Sequence, residues 1–150
     1  MNTGQMLAVL VALSLLGVVS LTNNTLMLSK TETMLAAEAS LDAISVAQTL
    51  IDEIMTKHYD LATINKKVVN ASEFTASSSL GPNNAEKTNV SLPDAATPFR
   101  SIKYYNDIDD YHGYRRIVPT PRMGDFTLLV SVFYVSELYP DQTSAAQTFH

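Results

Sequence analysis

The first 29 residues carry no charged side chain, and Lys30 is the first. Within them Met6 to Leu21 reads M-L-A-V-L-V-A-L-S-L-L-G-V-V-S-L, broken only by Ser14, Gly17 and Ser20. As a helix this stretch spans ~24 Å, slightly short of a ~30 Å hydrocarbon core. Continued through Thr22-Asn23-Asn24-Thr25 to Leu28, it reaches ~35 Å with a polar patch inside.

Three readings of this segment are open. A cleaved signal peptide needs a basic start and a small-x-small cleavage site. Met1 to Gln5 holds no basic side chain, and Val18-Val19-Ser20 fits the site poorly. A plain membrane anchor is the second reading. The positive-inside rule gives it no orientation before the helix, since only Lys30 comes closely after it. The third is a helix that sits in a membrane temporarily and later packs against copies of itself.

The next 35 residues favour the third reading. From Thr25 to Tyr59 there is no Gly and no Pro. Polar residues fall at Glu38, Asp42, Ser45, Thr49, Asp52 and Thr56, alternately four and three apart. Leu41, Ile44, Ile51 and Met55 lie between them, with Val46, Leu50 and Ile54 alongside. That pattern predicts one helix with a wide apolar face and a narrow wet stripe. Glu53 and Lys57 stand in the favourable i,i+4 order for an ion pair. Joined to the first segment, the helix runs from about residue 2 to 59, or ~87 Å. A globule of 150 residues is not that wide, so half of the helix is expected to protrude and to need lipid or other subunits. In an assembled form the helix is expected to be interrupted between Gly17 and Thr25. Gly17, the β-branched Val18 and Val19, and the hydroxyl and amide side chains from Ser20 to Thr25 all disfavour helix there.

The middle of the chain changes character. Ser77-Ser78-Ser79, Gly81-Pro82-Asn83-Asn84 and Pro93 are turn and loop residues, with a short strand expected at Glu73-Phe74-Thr75. Beyond it the pattern alternates as strands do. Arg100, Ile102 and Tyr104 share one face of a first run. Tyr114 to Val118 is a second run, ended by Pro119 and Pro121. Asp125 to Val135 is the best strand, with Phe126, Leu128, Val130, Val132 and Tyr134 on one face. Tyr139-Pro140-Asp141 reads as a turn, and Thr148-Phe149-His150 as the start of another strand. The fold class is therefore α+β. Residues 1–28 form the apolar segment, 29–60 its amphipathic continuation, 61–98 a surface loop region, and 99–150 an antiparallel sheet region packed on the helix's C-terminal half.

All 25 charges lie beyond residue 29 and sum to −5, with no basic patch, so no nucleic-acid partner is expected. The absence of cysteine excludes disulfides and thiolate metal sites. No nucleophile elbow, P-loop or dinucleotide fingerprint occurs, and His58, His112 and His150 lack metal-ligand spacing, so no enzyme is expected. Tyr104, Tyr105, Tyr111, Tyr114 and His112 crowd one stretch and read as core and interface. Asp107, Asp109 and Asp110 are candidate calcium ligands. Their spacing is not that of an EF-hand, because Gly113 falls at the seventh place and no Glu at the twelfth. The competing reading is an acidic turn whose carboxylates cap backbone amides. Asn23-Asn-Thr, Asn70-Ala-Ser and Asn89-Val-Ser match the N-glycosylation tripeptide, a pattern that chance supplies often.

An uncharged apolar start, a very long helix, a loop and then an antiparallel sheet resemble the layout of type IV pilins and pseudopilins. Met1-Asn-Thr-Gly-Gln-Met-Leu7 is similar to the start of a mature pilin. Ala37 to Ile54 is similar to the helix of minor-pilin-like bacterial proteins, and Asn106-Asp-Ile-Asp-Asp-Tyr-His-Gly-Tyr114 to an acidic aromatic segment in them. The resemblance implies helices packed in a filament core with the sheets as its outer wall, and calcium in the acidic region. It places assembly contacts at Met1, Gln5, Leu7, Leu10, Leu13, Leu16 and Gly17. The family has Glu where this chain has Gln5, which can hydrogen-bond but cannot form the family's ion pair with a neighbour's amino terminus. Met1 is either the initiator or the residue left after a leader is removed. The expected function is a structural subunit of an extracellular, pilus-like filament, inserted in the cytoplasmic membrane before assembly. Its expected partners are itself, that inner membrane and a pilus assembly machinery. The alternative is a single-pass anchored, pseudopilin-like component of a secretion or assembly machine.

Overall fold

The computed structural model describes residues 2–149, so Met1 and His150 lie outside the described residues. Helix α1 runs from Thr3 to Met55 without a break. Short elements come after it: α2 (Leu61–Asn65), 3-10 turns at Ala71–Glu73 and Ser77–Ser79, α3 (Asn84–Asn89), α4 (Ser101–Tyr104), a 3-10 turn at Asp109–Tyr111, β1 (Arg115–Thr120) and β2 (Gly124–Leu129). The chain is α+β: a long apolar N-terminal helix, then a two-stranded antiparallel sheet. It divides into two units, Met1–Asp42 and Ala43–His150.

In the first unit, residues 2–37 are all exposed. Its hydroxyls serve its own backbone: Ser14 Oγ donates to Val11 O at 2.8 Å, Thr22 Oγ1 to Val18 O at 2.9 Å and Thr25 Oγ1 to Thr22 O at 2.9 Å. These bonds remove part of the competition expected between Gly17 and Thr25, and in the single chain the helix is continuous there.

The second unit is built around Leu50, only 3% exposed, which packs with Val90, Tyr105, Tyr111 and Tyr114. The three tyrosines meet edge to face, with centroids 5.0–5.5 Å apart, the arrangement the ring quadrupole favours. Ile54, Leu128, Val130 and Val132 close over this cluster.

Helix α1 ends four residues earlier than the expected Tyr59. Thr56 and Lys57 make tightened bonds to Glu53 O and Ile54 O, and His58 then leaves the helix for a bridge with Asp107. Its N–H donates to Asn106 O at 3.2 Å, and its carbonyl accepts from Ile108 N at 2.9 Å. The expected Glu53–Lys57 pair does not form. Lys57 Nζ instead donates to Ile102 O and Tyr105 O, both at 2.8 Å, while Glu53 turns inward.

The expected strand over 99–104 is not formed, and Ser101–Tyr104 is helix α4 instead. Asp94 Oδ2 accepts the Ser101 N–H at 3.1 Å, and Arg100 O accepts from Lys103 and Tyr104. So short an alternating run also fits one helical turn, and a carboxylate at its start decides between the two. Glu73–Thr75 is likewise not a strand. Glu73 closes a 3-10 turn, and Phe74 packs on Tyr59 and Phe149 at 5.0 and 5.3 Å. Phe149 is drawn to these rings, and no strand forms at 148–149.

Strand β1 continues through Pro119 to Thr120, further than expected. Pro119 pairs with Asp125 at a position whose missing N–H points away from β2, so no ladder bond is lost. Strand β2 stops at Leu129 rather than Val135. Gly113, at φ +74°, turns β1's chain away just before Arg115. Val130 therefore finds Tyr114 O and the Gly113 N–H, and among the described residues no strand lies beside 131–134.

Candidate functional site

Two features carry chemistry or contact, and each belongs to one unit. The first is the uncharged segment of α1. It is long and apolar enough to cross a membrane. Leu7, Leu10, Leu13 and Leu16 each leave most of their surface open, and apart from the adjoining helix backbone no described residue lies within 4 Å of a Cβ placed on Gly17. Gln5 is exposed in the first turn, where its N–H donates to Asn2 O at 2.8 Å. Met1, the remaining expected contact, lies outside the described residues. Because Ser14, Thr22 and Thr25 satisfy themselves, the segment suits a dry or lipid surrounding better than its composition suggests.

The second feature is an acidic cavity of about 360 Å³ in the second unit. Asp107, Asp109 and Asp110 line it, and one carboxylate oxygen of each lies within 4.8 Å of the others. All three are buried, Asp107 to 2% exposure. They are held by the 3-10 turn and the His58–Asp107 bridge. Two of the carboxylates serve the turn's own backbone. Asp110 Oδ2 accepts the Asn106 N–H at 2.9 Å, and Asp107 Oδ1 accepts the Asp110 N–H at 3.3 Å, so the turn is capped. The carboxylates nevertheless crowd together, and among the described lining residues only Lys87 is a cation.

Crowding and burial shift the acids. Burial pushes the Asp107 carboxyl up to about 9, helped by its hydrogen bond with Asp109 and by the charges of Asp109 and Asp110. Burial raises Asp109 as well, against opposing hydrogen bonds from Asp107 and Thr75. Glu86, 20 residues upstream of Asn106, is raised by burial and by Asp110. A hard divalent cation would replace these protons. It takes oxygen ligands at short range, and three carboxylates at this spacing fit such a donor set.

Sequence reasoning missed two further buried acids near the cluster. Asp60 takes the N–H groups of Ala62 at 2.8 Å and Thr75 at 2.6 Å. Glu86 caps the Asn83 N–H at 2.8 Å and accepts from Asn106 Nδ2. The run Asn83-Asn-Ala-Glu86 is a capping-box pattern and signals the latter role. Also missed was the ion pair under α1, Arg116 with Glu53 at 2.6 Å, for which no local pattern exists.

No protein-family model, curated protein or solved structure matches the chain.

Proposed function

We propose that this chain is the structural subunit of an extracellular, pilus-like filament that polymerises through its uncharged helix and waits in a membrane before assembly. The supporting observation is the helix Thr3–Met55. Its first half has no charge and is exposed, while its last turns are built into the core of the second unit. Covering each large apolar side chain in a polymer contributes ~1.5–3 kcal/mol. The same helix serves a rival role, a single-pass anchor in a secretion or assembly machine. Electron microscopy of sheared cell-surface material separates the two. Helical filaments labelled by an antibody to this chain support the proposal, and protein confined to the membrane fraction supports the rival.

Gln5 would lie in the dry part of such a filament, where its amide needs a partner. Gln5→Leu should cost about one hydrogen bond, ~1 kcal/mol, and raise the critical concentration for assembly about fivefold. Unchanged assembly would place the Gln5 amide outside any subunit contact.

The acidic cavity is proposed to hold calcium through Asp107, Asp109 and Asp110. The ion would supply the positive charge that the cluster lacks and tie the 106–113 turn down. Without it, folded Asp107 keeps its proton up to about pH 9, whereas the ordinary value is 3.8. Between those values the folded state binds more protons than the unfolded state. This group's contribution to stability is therefore full below about pH 4 and is lost as the pH rises toward 9. In chelator, Tm should fall from pH 5 to pH 9, and millimolar calcium should restore it at the alkaline end. Asp107→Asn should flatten the pH dependence and abolish the calcium effect. A Tm insensitive to calcium at pH 8–9 would remove this part of the proposal.

A further inference from the structure

The two outer edges of the sheet differ. On β1 the edge is closed by one residue: Asp94 N donates to Arg115 O at 2.8 Å, and Ile117 N donates to Asp94 O at 3.1 Å, a parallel bridge. Since Arg115 and Ile117 face outward, the alternation of an antiparallel pair makes Asp125, Thr127 and Leu129 the outward residues of β2. Their N–H and C=O groups have no hydrogen-bond partner among the described residues. No Lys or Pro guards this edge, and Leu129 is 73% exposed. Asp125 at its start has no ion-pair partner among the described residues.

The same unit carries a matching segment. After α2 Lys66 is extended, with φ −147° and ψ 157°, and residues 67–69 belong to no helix, turn or strand. Val68 N–H and C=O have no partner among the described residues, Val69 is 71% exposed, and Lys67 has no ion-pair partner there. We infer that Lys67–Val69 of a second copy closes the open edge of β2, as Asp94 closes that of β1. In the parallel register, Val68 N–H donates to Asp125 O and Val68 O accepts from Thr127 N. Lys67 then stands opposite Asp125, and Val69 stands opposite Thr127 and next to Leu129. The charges match only in this direction. The two surfaces are different parts of one unit, so the contact is heterologous and repeats into a ring or an open filament. It rests on the filament proposal only for its biological setting.

The chain has no cysteine, so engineered thiols report cleanly. Cells making the full chain with Val69→Cys and Thr127→Cys together should give a ladder of covalent oligomers on mild oxidation. Either single variant should give none. Lys67→Cys with Asp125→Cys provides a second pair, all four sites being exposed and away from the core. In the Val69/Thr127 background, Lys67→Asp or Asp125→Lys should lower the ladder yield several-fold, and the two together should restore it. Filaments without a ladder from either pair overturn the edge contact and leave the filament proposal standing. A ladder confined to the membrane fraction supports the edge contact and overturns the filament. Neither filament nor ladder overturns both.

Discussion

Replacing Leu13 with Asp should abolish filament formation. Leu13 lies in the middle of the uncharged segment and is 59% exposed in the single chain, so assembly would have to cover it. A carboxylate there has no cation within the first 29 residues to pair with. Placing one at the centre of a membrane helix costs ~2.5–3.5 kcal/mol on insertion scales, and a dry protein core without a partner is no kinder. At 1.4 kcal/mol per factor of ten, that disfavours the buried form ~60- to 300-fold relative to water, and a packed filament core lacks the thinning and water defects by which a bilayer relieves it. Leu13→Ala should be milder, because it removes apolar area without adding charge. The check is the yield of sheared filaments against total membrane-inserted subunit, which separates failed assembly from failed insertion. Normal filaments from the Asp variant would contradict a buried Leu13.

Removing the Arg116 charge should be the most destabilising single change in the folded unit. Arg116 Nη2 donates to Glu53 Oε1 and Oε2 at 2.8 and 2.6 Å and to Ser101 Oγ at 2.8 Å, while its Nε donates to Tyr114 Oη at 2.9 Å. Its guanidinium also lies 4.0 Å from the Phe99 ring centroid. Glu53 Oε1 further accepts from Ser101 Oγ and Tyr111 Oη, both at 2.7 Å. Burial works against the Arg116 charge, but the hydrogen bonds it donates to Glu53 and Tyr114 outweigh it and raise its pKa. Arg116→Leu leaves the Glu53 carboxylate buried without its cation, a loss of ~3–5 kcal/mol. That is a large share of the ~5–15 kcal/mol that holds a typical domain. Adding Glu53→Met should recover the larger part, since an apolar pair of similar volume replaces a buried ion pair at small net cost. Urea denaturation of the single and double variants tests this. A double variant no more stable than Arg116→Leu alone would show that the hydroxyls of Ser101, Tyr111 and Tyr114 need the charges.

The legible part of the fold is the part with a long, regular period. Helix α1 can be read because 35 residues from Thr25 to Tyr59 lack Gly and Pro and keep a helical spacing. Its last turn cannot, because His58 leaves it for a backbone bridge to Asp107 that no local pattern announces. The strands are harder. Arg100 to Tyr104 alternates correctly for a strand, yet Asp94, six residues before Arg100, supplies the cap that makes it a helical turn. Strand β2 reads as too long because its apolar alternation continues to Val135 after its partner has turned away at Gly113. In the acidic cavity the three aspartates stand out by proximity in sequence, whereas Asp60 and Glu86 are brought near only by folding. Glu53 has a different partner from the one its spacing suggests. Lys57 is one helical turn away and Arg116 is 63 residues away, and the rule for helix surfaces cannot weigh a buried partner against an exposed one.

The central claim is that the uncharged half of α1 is covered by other copies of the chain. A density map of filaments sheared from cells making this protein tests it most directly. The predicted map has a core in which residues 6–28 of every subunit lie against the same segment of its neighbours, away from water, with Leu13 facing another subunit. Residues 17–25 are expected to depart from i→i−4 bonding there, unlike in the single chain. A map with this segment on the solvent face, or sheared material lacking this chain while the membrane fraction retains it, would contradict the claim.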